Sequence, residues 1–317
     1  MKTMKAILIN QYGTPDVFYF GEIETPKIKG DEILVKVFGS SVNPVDAGIR
    51  RGLLKSFVRL KLPAVLGVDV SGKVVETGRA VSRFKVGDNV YAFLGIHRNG
   101  GYGEFAAIPQ SFAALIPDNL NITEAGTVPG VGMTVYEAFT VHAPVKKGML
   151  VLINGASGGV GTYAIQVAKY FGAEVTAVCS TERIDLAKQL GAEKIIDYKK
   201  QNILNTTERY DVILNCVRGI GFRQLKKLLK PGGKSIVIAD NPMKFPLMKL
   251  SNLFSSRKTI PFIVKTEGKI LEGLSKLIQS GKIKPVIEKI YPWKDLSQAH
   301  KHMESGKIAG KIGIKIN

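Results

Sequence analysis

The sequence predicts an α/β protein in two parts: a mostly-β part of short strands, and a doubly wound parallel sheet. Three observations carry that expectation. The run Met149-Leu-Val-Leu-Ile-Asn-Gly-Ala-Ser-Gly-Gly-Val-Gly161 joins an apolar strand, through a glycine cluster, to the helix-periodic Thr162-Tyr-Ala-Ile-Gln-Val-Ala-Lys169. From Thr123 onward, apolar strand-like runs alternate with helical ones, the rhythm of βαβ units. Before Thr123, short β-branched runs are broken by glycine and aspartate turns, the pattern of an antiparallel, barrel-like domain.

Taken in order, strands are expected at residues 6–10, 32–40, 72–77 and 89–93, separated by Gly30-Asp31, Gly78, Gly87-Asp88 and Asn99-Gly-Gly101. A helix from 124 to about 141 leads into a strand at 150–154. Further strands are expected at 174–179, 194–196, 212–216, 235–239 and 262–264. Helices fit between them at 162–171, 182–190 and 222–229, the last closed by Pro231-Gly-Gly233. A helix at 269–279 then stops at Ser280-Gly281. An extended 284–290, a short helix at 296–303 and a final strand at 310–316 follow. This tail looks more like the beginning of the chain than like its middle.

Composition narrows the function classes. A chain of 317 residues with 45% hydrophobic content suggests two domains with sizeable cores. The N-terminal apolar run is too short for a signal peptide, and nothing approaches a membrane span, so a cytoplasmic protein is expected. Cys179 and Cys216 fall in apolar runs and read as reduced, packed thiols, too few for a structural zinc site. His300 and His302 stand two apart in a helical run, on different faces, which argues against a shared metal. No metal ligands are expected.

The net charge of +19 comes from 45 Lys and Arg against 26 Asp and Glu. The lysines are spread along the chain without an aromatic-interleaved block, which reads as a solvated basic surface. A basic nucleic-acid-binding protein is the alternative from another class. The densest stretch, 243–258, is amphipathic enough to touch a membrane surface or to cover an active site.

The glycine cluster is the unit that cradles a pyrophosphate: glycines let the backbone approach, and the helix N-terminus offers free N–H groups. Without a ligand it would be only a tight strand-to-helix turn. An acidic residue about 20 positions further on would hold the ribose of NAD. Here that place is the small, neutral Cys179-Ser180-Thr181, with Arg183 close behind and Glu182 as the opposing feature. Hydroxyls plus a guanidinium suit a 2′-phosphate, so the expected cofactor is NADPH.

The chain resembles the medium-chain dehydrogenase/reductase superfamily, in its zinc-free NADPH:quinone oxidoreductase branch. The resemblance rests on Ser41-Val-Asn-Pro-Val-Asp46, Pro63-Ala-Val-Leu-Gly-Val-Asp-Val-Ser-Gly72, Phe84-Lys-Val-Gly-Asp-Asn-Val-Tyr91 and Gly100-Gly-Tyr-Gly-Glu-Phe-Ala106. Gly132-Met-Thr-Val-Tyr-Glu-Ala138, the glycine cluster and Ser305-Gly-Lys-Ile-Ala-Gly-Lys-Ile312 complete it. It implies a GroES-like catalytic domain from both chain ends, 1–123 and 266–317, around a Rossmann dinucleotide-binding domain, 124–265. Zinc-dependent relatives have a Cys and a Gly-His-Glu motif where this chain has Asn43-Pro-Val-Asp46 and Gly67-Val-Asp69.

With no Lewis acid, the acceptor must already be electrophilic, which points to quinones and α,β-unsaturated carbonyls; enoyl-thioester or alkenal reduction is the nearest alternative. The resemblance puts Asn43 and Tyr136 near nicotinamide and substrate, with Asp46 and Arg50 shaping the same wall. It puts Thr134 at the nicotinamide end, and Ala156, Ser157, Gly158, Gly159 and Val160 at the phosphates. Ser180 and Arg183 would meet the 2′-phosphate, and Tyr198 would lie by the adenosine. Cys216, Val217 and Lys311 complete the cofactor set. A catalytic role for the Cys216 thiol is disfavoured. A small-molecule partner and a homodimer, formed through the edge strand at 262–264, are also expected.

Overall fold

A computed structural model describes residues 2–238 and 242–316. The last residue of the strand expected at 235–239 lies outside the described residues. The chain begins with β1 Thr3–Ile9, β2 Phe18–Glu24, β3 Glu32–Ser41, α1 Pro44–Arg50, β4 Ala64–Val65, β5 Asp69–Thr77, β6 Asn89–Phe93, β7 Phe105–Pro109 and β8 Ala113–Leu115. Two helices follow, α2 Ile122–Ala125 and α3 Pro129–Glu137, the second running into a π-helical turn at Ala138–His142. The alternating part comprises β9 Leu150–Asn154, α4 Gly159–Tyr170, β10 Glu174–Cys179, α5 Ile184–Gln189, β11 Lys194–Asp197, β12 Tyr210–Asn215, α6 Phe222–Lys227, β13 Leu229–Val237, α7 Phe245–Ser251 and β14 Lys258–Pro261. The chain closes with α8 Gly268–Gln279, β15 Ile287–Pro292, α9 Leu296–Glu304 and β16 Lys311–Lys315.

Two compact units result. One comprises Met1–Met133, Lys265–Gly281 and Ile287–Asn317; the other Thr134–Val264 and Lys282–Val286. In the first, the described strands run in the order β15-β16-β3-β5-β6-β8, with β7 also pairing β3, beside a second sheet ordered β2-β1-β4. All pairs are antiparallel except β15 with β16. The core takes residues from both chain ends: Ile33, Val35, Val70 and Val90 pack with Trp293, Ile312 and Ile314.

In the second unit the described strands form one wholly parallel sheet, ordered β11-β10-β9-β12-β13-β14. Strand order reverses between β9 and β12, so a crevice opens at the carboxyl ends of those two strands. Their sequences, Leu-Val-Leu-Ile-Asn and Tyr-Asp-Val-Ile-Leu-Asn, are nearly continuous apolar runs because a central parallel strand is covered on both faces.

Several expected elements are corrected. The helix at 124–141 is broken: Gly126 ends α2 and Pro129 opens α3, since proline suits a first helical turn and lacks the N–H an interior needs. Residues 262–264 are not strand; the pairing lies upstream at Lys258–Pro261, where Thr259 and Ile260 meet Ser235 and Ile236. Pro231-Gly-Gly233 does not close a helix but lies within β13, where the register with β12 shifts. The extended segment at 284–290 becomes strand only from Ile287. An unexpected helix, α1, begins at Asn43-Pro44: Asn43 is its N-cap and Asp46 accepts the Asn43 backbone N–H.

Candidate functional site

In the second unit, β9 ends at Asn154 and the chain turns sharply at Gly155, whose φ of +83° is left-handed. A Cβ on Gly161 would stand 2.2 Å from the Gly155 carbonyl oxygen, so α4 can start this close to the strand only with glycine there. Gly158 differs. It is the N-cap of α4 in ordinary extended backbone, and a Cβ on it would meet nothing nearer than 3.6 Å. Gly158 precedes the first turn of a twelve-residue helix, whose leading N–H groups have no intrahelical partner. The turn is fixed from both sides: the Ala156 N–H donates to the Val178 carbonyl of β10, and Cys216 N–H to Asn154 of β9. Asn154 Nδ2 donates to Asn215 Oδ1 at 2.7 Å, tying the two central strand ends together. Ala156, Ser157, Gly158, Gly159 and Val160 form this turn and the start of α4, and free N–H groups at a helix N-terminus favour an anion.

At the end of β10, Ser180 precedes a single 3-10 turn, Thr181–Arg183. Thr181 Oγ1 donates to Asp197 Oδ2 at 2.6 Å, so that hydroxyl is taken up within the unit. Glu182 pairs with Lys199, which holds its carboxyl down to about 2. Tyr198 lies beside the same strand end through its N–H bond to the Cys179 carbonyl, with its ring exposed. Cys216 and Val217 follow β12 at the crevice. Beside them a cavity of about 210 Å³ is lined by Asn215, Val217, Arg218, Ile220 and Lys244, among others. Burial pushes the Cys216 thiol up to about 12, which leaves it unfit as a nucleophile at neutral pH.

The first unit holds a buried charged cluster. Asn43 Nδ2 donates to Asp69 Oδ2 at 2.9 Å and to Asp46 Oδ2 at 3.1 Å, while its Oδ1 accepts from Lys311 Nζ at 2.6 Å. Lys311 also donates to the Val42 carbonyl and stands 3.8 Å from Asp69 Oδ2. Asp69 further accepts from Ser41 Oγ and from the Gly130 N–H. Two carboxylates therefore face one ammonium out of water. Burial, with Asp69 close by, pushes the Asp46 carboxyl up to about 7, and its Oδ1 has no hydrogen-bond partner. Burial also lowers the Lys311 ammonium from its ordinary range.

A second buried network adjoins it. Arg50 is fully buried, with Nε on the Gly13 carbonyl, one amino group on Glu304 and the other 2.8 Å from His300 Nδ1. A guanidinium can only donate, so His300 Nδ1 accepts and its proton sits on Nε2, 3.1 Å from the Tyr102 hydroxyl. Tyr102 then donates to the Ser41 carbonyl. Burial holds His300 well below its usual range, so it is neutral.

Among the sequence candidates, the fold brings Asn43, Asp46 and Lys311 into direct contact. Arg50 is turned away from that group toward His300 and Glu304, and does not shape a wall with Asn43. Tyr136 and Thr134 lie in α3 within the second unit, Tyr136 half-buried and Thr134 nearly covered. Asn43 has both amide protons taken by carboxylates. Sequence reasoning missed Ser41, Tyr102, His300 and Glu304. Tyr102 stands in the glycine motif at 100–106, but its partner lies 198 positions away.

The donor set does not fit zinc. Where a metal would face Asn43 and Asp69, the chain supplies its own cation, Lys311, and both cysteines are in the other unit. Among the described residues, no group of three or more His, Cys, Asp or Glu could hold a metal ion.

Comparison with known proteins extends this geometry. Residues 29–118 match the alcohol dehydrogenase GroES-like domain family, and residues 190–312 match the family described as zinc-binding dehydrogenase. The chain is 33% identical, over 99% of its length and 99% of the relative's, to a chloroplast envelope quinone oxidoreductase homolog of Arabidopsis thaliana. It is 34% identical to an NADPH-dependent alkenal/one oxidoreductase, chloroplastic, of the same plant, covering 99% of this chain and 80% of that one. Its backbone superposes on the quinone oxidoreductase from Coxiella burnetii with a TM-score of 0.90, at 29% identity and 100% coverage of both chains.

Proposed function

Because the chain belongs to the medium-chain dehydrogenase/reductase superfamily, as a quinone oxidoreductase-like member, we propose that it reduces quinones or α,β-unsaturated carbonyls with NADPH, without zinc. The observation that carries this reading is the glycine turn at the strand reversal, open at Gly158 and closed at Gly161. When bound, the reduced nicotinamide supplies a hydride. The residues of the chain bind and orient. The first turn of α4 and the loop 155–158 hold the pyrophosphate, and Ser180 with Arg183 receives the 2′-phosphate, beside Tyr198. Cys216 and Val217 line the crevice at the end of β12.

Hydride addition to a quinone or enone leaves an oxyanion that needs a donor and then a proton. Tyr136 is our candidate donor, with Thr134 toward the nicotinamide. Asn43, with its amide protons committed, serves together with Asp46, Asp69 and Lys311 as a positioning cluster, and Arg50 braces the fold behind it. The reading is supported by relatives named as quinone and as alkenal/one oxidoreductases.

Purified protein is expected to oxidise NADPH in the presence of a simple quinone, at a rate that chelators leave unchanged. Absence of turnover on every member of a quinone and alkenal panel would defeat the proposal. A second reading, reduction of the enone carbon–carbon bond, is favoured by the 35% identity to a 2-methylene-furan-3-one reductase of Solanum lycopersicum. A kcat/KM larger for alkenones than for quinones would select it.

A further inference from the structure

We propose that the segment from Met243 to Phe254 docks on the surface of an anionic lipid bilayer. α7 and its flanking turns present two opposite apolar faces. Phe245 and Met248 face inward and pack in the core of the second unit, Met248 completely buried. Met243, Leu247 and Leu250, spaced i, i+4 and i+7, are 84%, 47% and 54% exposed. Leu253 and Phe254, in the turn that closes the helix, are 73% and 88% exposed. Single exposed apolar side chains are ordinary, but a continuous strip of large ones marks a surface that something covers.

The charge around the strip says what covers it. Lys244, in the 3-10 turn that precedes α7, and Lys249, within α7, border the exposed residues in sequence and are both exposed. Residues 241–266 contain five Lys and Arg and no Asp or Glu, in a chain of net charge +19. Lysines flanking an apolar stripe can extend their ammonium groups to lipid phosphates while the stripe enters the headgroup boundary. A second copy of this chain is a poor occupant, because facing strips would bring lysines against lysines, and lysine is depleted from protein interfaces. No helix among the described residues is long and apolar enough to cross a membrane, so the segment lies on the bilayer.

Co-sedimentation of the whole protein with vesicles, at physiological salt and without cofactor or substrate, tests this apart from any reduction chemistry. Binding is expected to vesicles of phosphatidylcholine with phosphatidylglycerol, and not to phosphatidylcholine alone. Lys244→Glu with Lys249→Glu, and separately Leu253→Ser with Phe254→Ser, should each lower partitioning by about tenfold or more with unchanged thermal melts. No binding to the anionic vesicles, or equal binding by both double variants, would overturn the proposal. So would a dimer in sedimentation equilibrium that the Leu253→Ser, Phe254→Ser protein loses, which would assign the strip to a second copy.

Discussion

Asn43 sits with its carbonyl oxygen on an ammonium and its amide protons on two carboxylates, so its orientation is set by charge on both sides. The residue type and its place before Pro44 were legible in the sequence. Its bond to Lys311 was not, because Lys311 is 268 positions away and no local pattern reports such a pairing. Asp46 carries the clearest consequence. Its folded-state pKa, about 7 against an ordinary 3.8, means that the folded chain keeps a proton which the unfolded chain has already released. Stability from this group therefore falls as pH rises through that window and is level above it.

Asp46→Asn should remove the slope, gaining stability relative to wild type toward pH 7. The gain should reach up to a few kcal/mol, because each tenfold change in proton affinity is worth about 1.4 kcal/mol. Urea midpoints of both proteins across the window check this, and a constant difference would contradict it. Tyr136→Phe should lower kcat by about 10- to 100-fold while the Kd for NADPH stays near wild type, because only a group that meets the developing oxyanion is lost. Arg183→Ala should weaken NADPH about tenfold and leave NADH nearly unchanged in a fluorescence titration, since only the former has the 2′-phosphate.

At the scale of elements, the parallel strands were the easiest to read. β9, β10 and β12 are mostly covered on both faces, and burial on both sides writes itself as a nearly continuous apolar run. β2, Phe18–Glu24, escaped notice because it pairs only with β1 among the described strands and its side chains are half to fully exposed. α1 was not among the expected elements, although an N-cap Asn with Asp three residues on is a helix start.

The glycine turn separates two requirements that the sequence pattern merges. Gly161→Ala places a methyl 2.2 Å from a backbone oxygen, so it should destabilise the chain by about 1–3 kcal/mol. Gly158→Ala meets only an ordinary van der Waals contact, the Gly155 oxygen at 3.6 Å, at ordinary dihedrals, so it should melt within about 0.5 kcal/mol of wild type. A comparison of thermal melts checks the pair. Equal destabilisation by both would mean that the turn is held by something other than the close approach at Gly161.

For the whole molecule, the first unit closes only when the end of the chain returns. β16 pairs β3, and Ile312 and Ile314 complete a core begun by Ile33 and Val35. That return was visible in the final strand-like run, because the run alternates like the first part and not like the middle. The charge of +19 left several partners open at the sequence level; the fold narrows the reading by showing where exposed apolar side chains and lysines coincide. The central claim concerns the other half of the chain, that a phosphorylated pyridine nucleotide lies on the loop after β9. Isothermal titration of NADPH and NADH into wild type and Gly158→Ala tests it most directly. Wild type should bind NADPH more tightly than NADH, and the folded Gly158→Ala should lose at least about tenfold in affinity for both, its methyl standing where the pyrophosphate approaches. No heat of binding to wild type with either nucleotide, or undiminished binding by the variant, would contradict it.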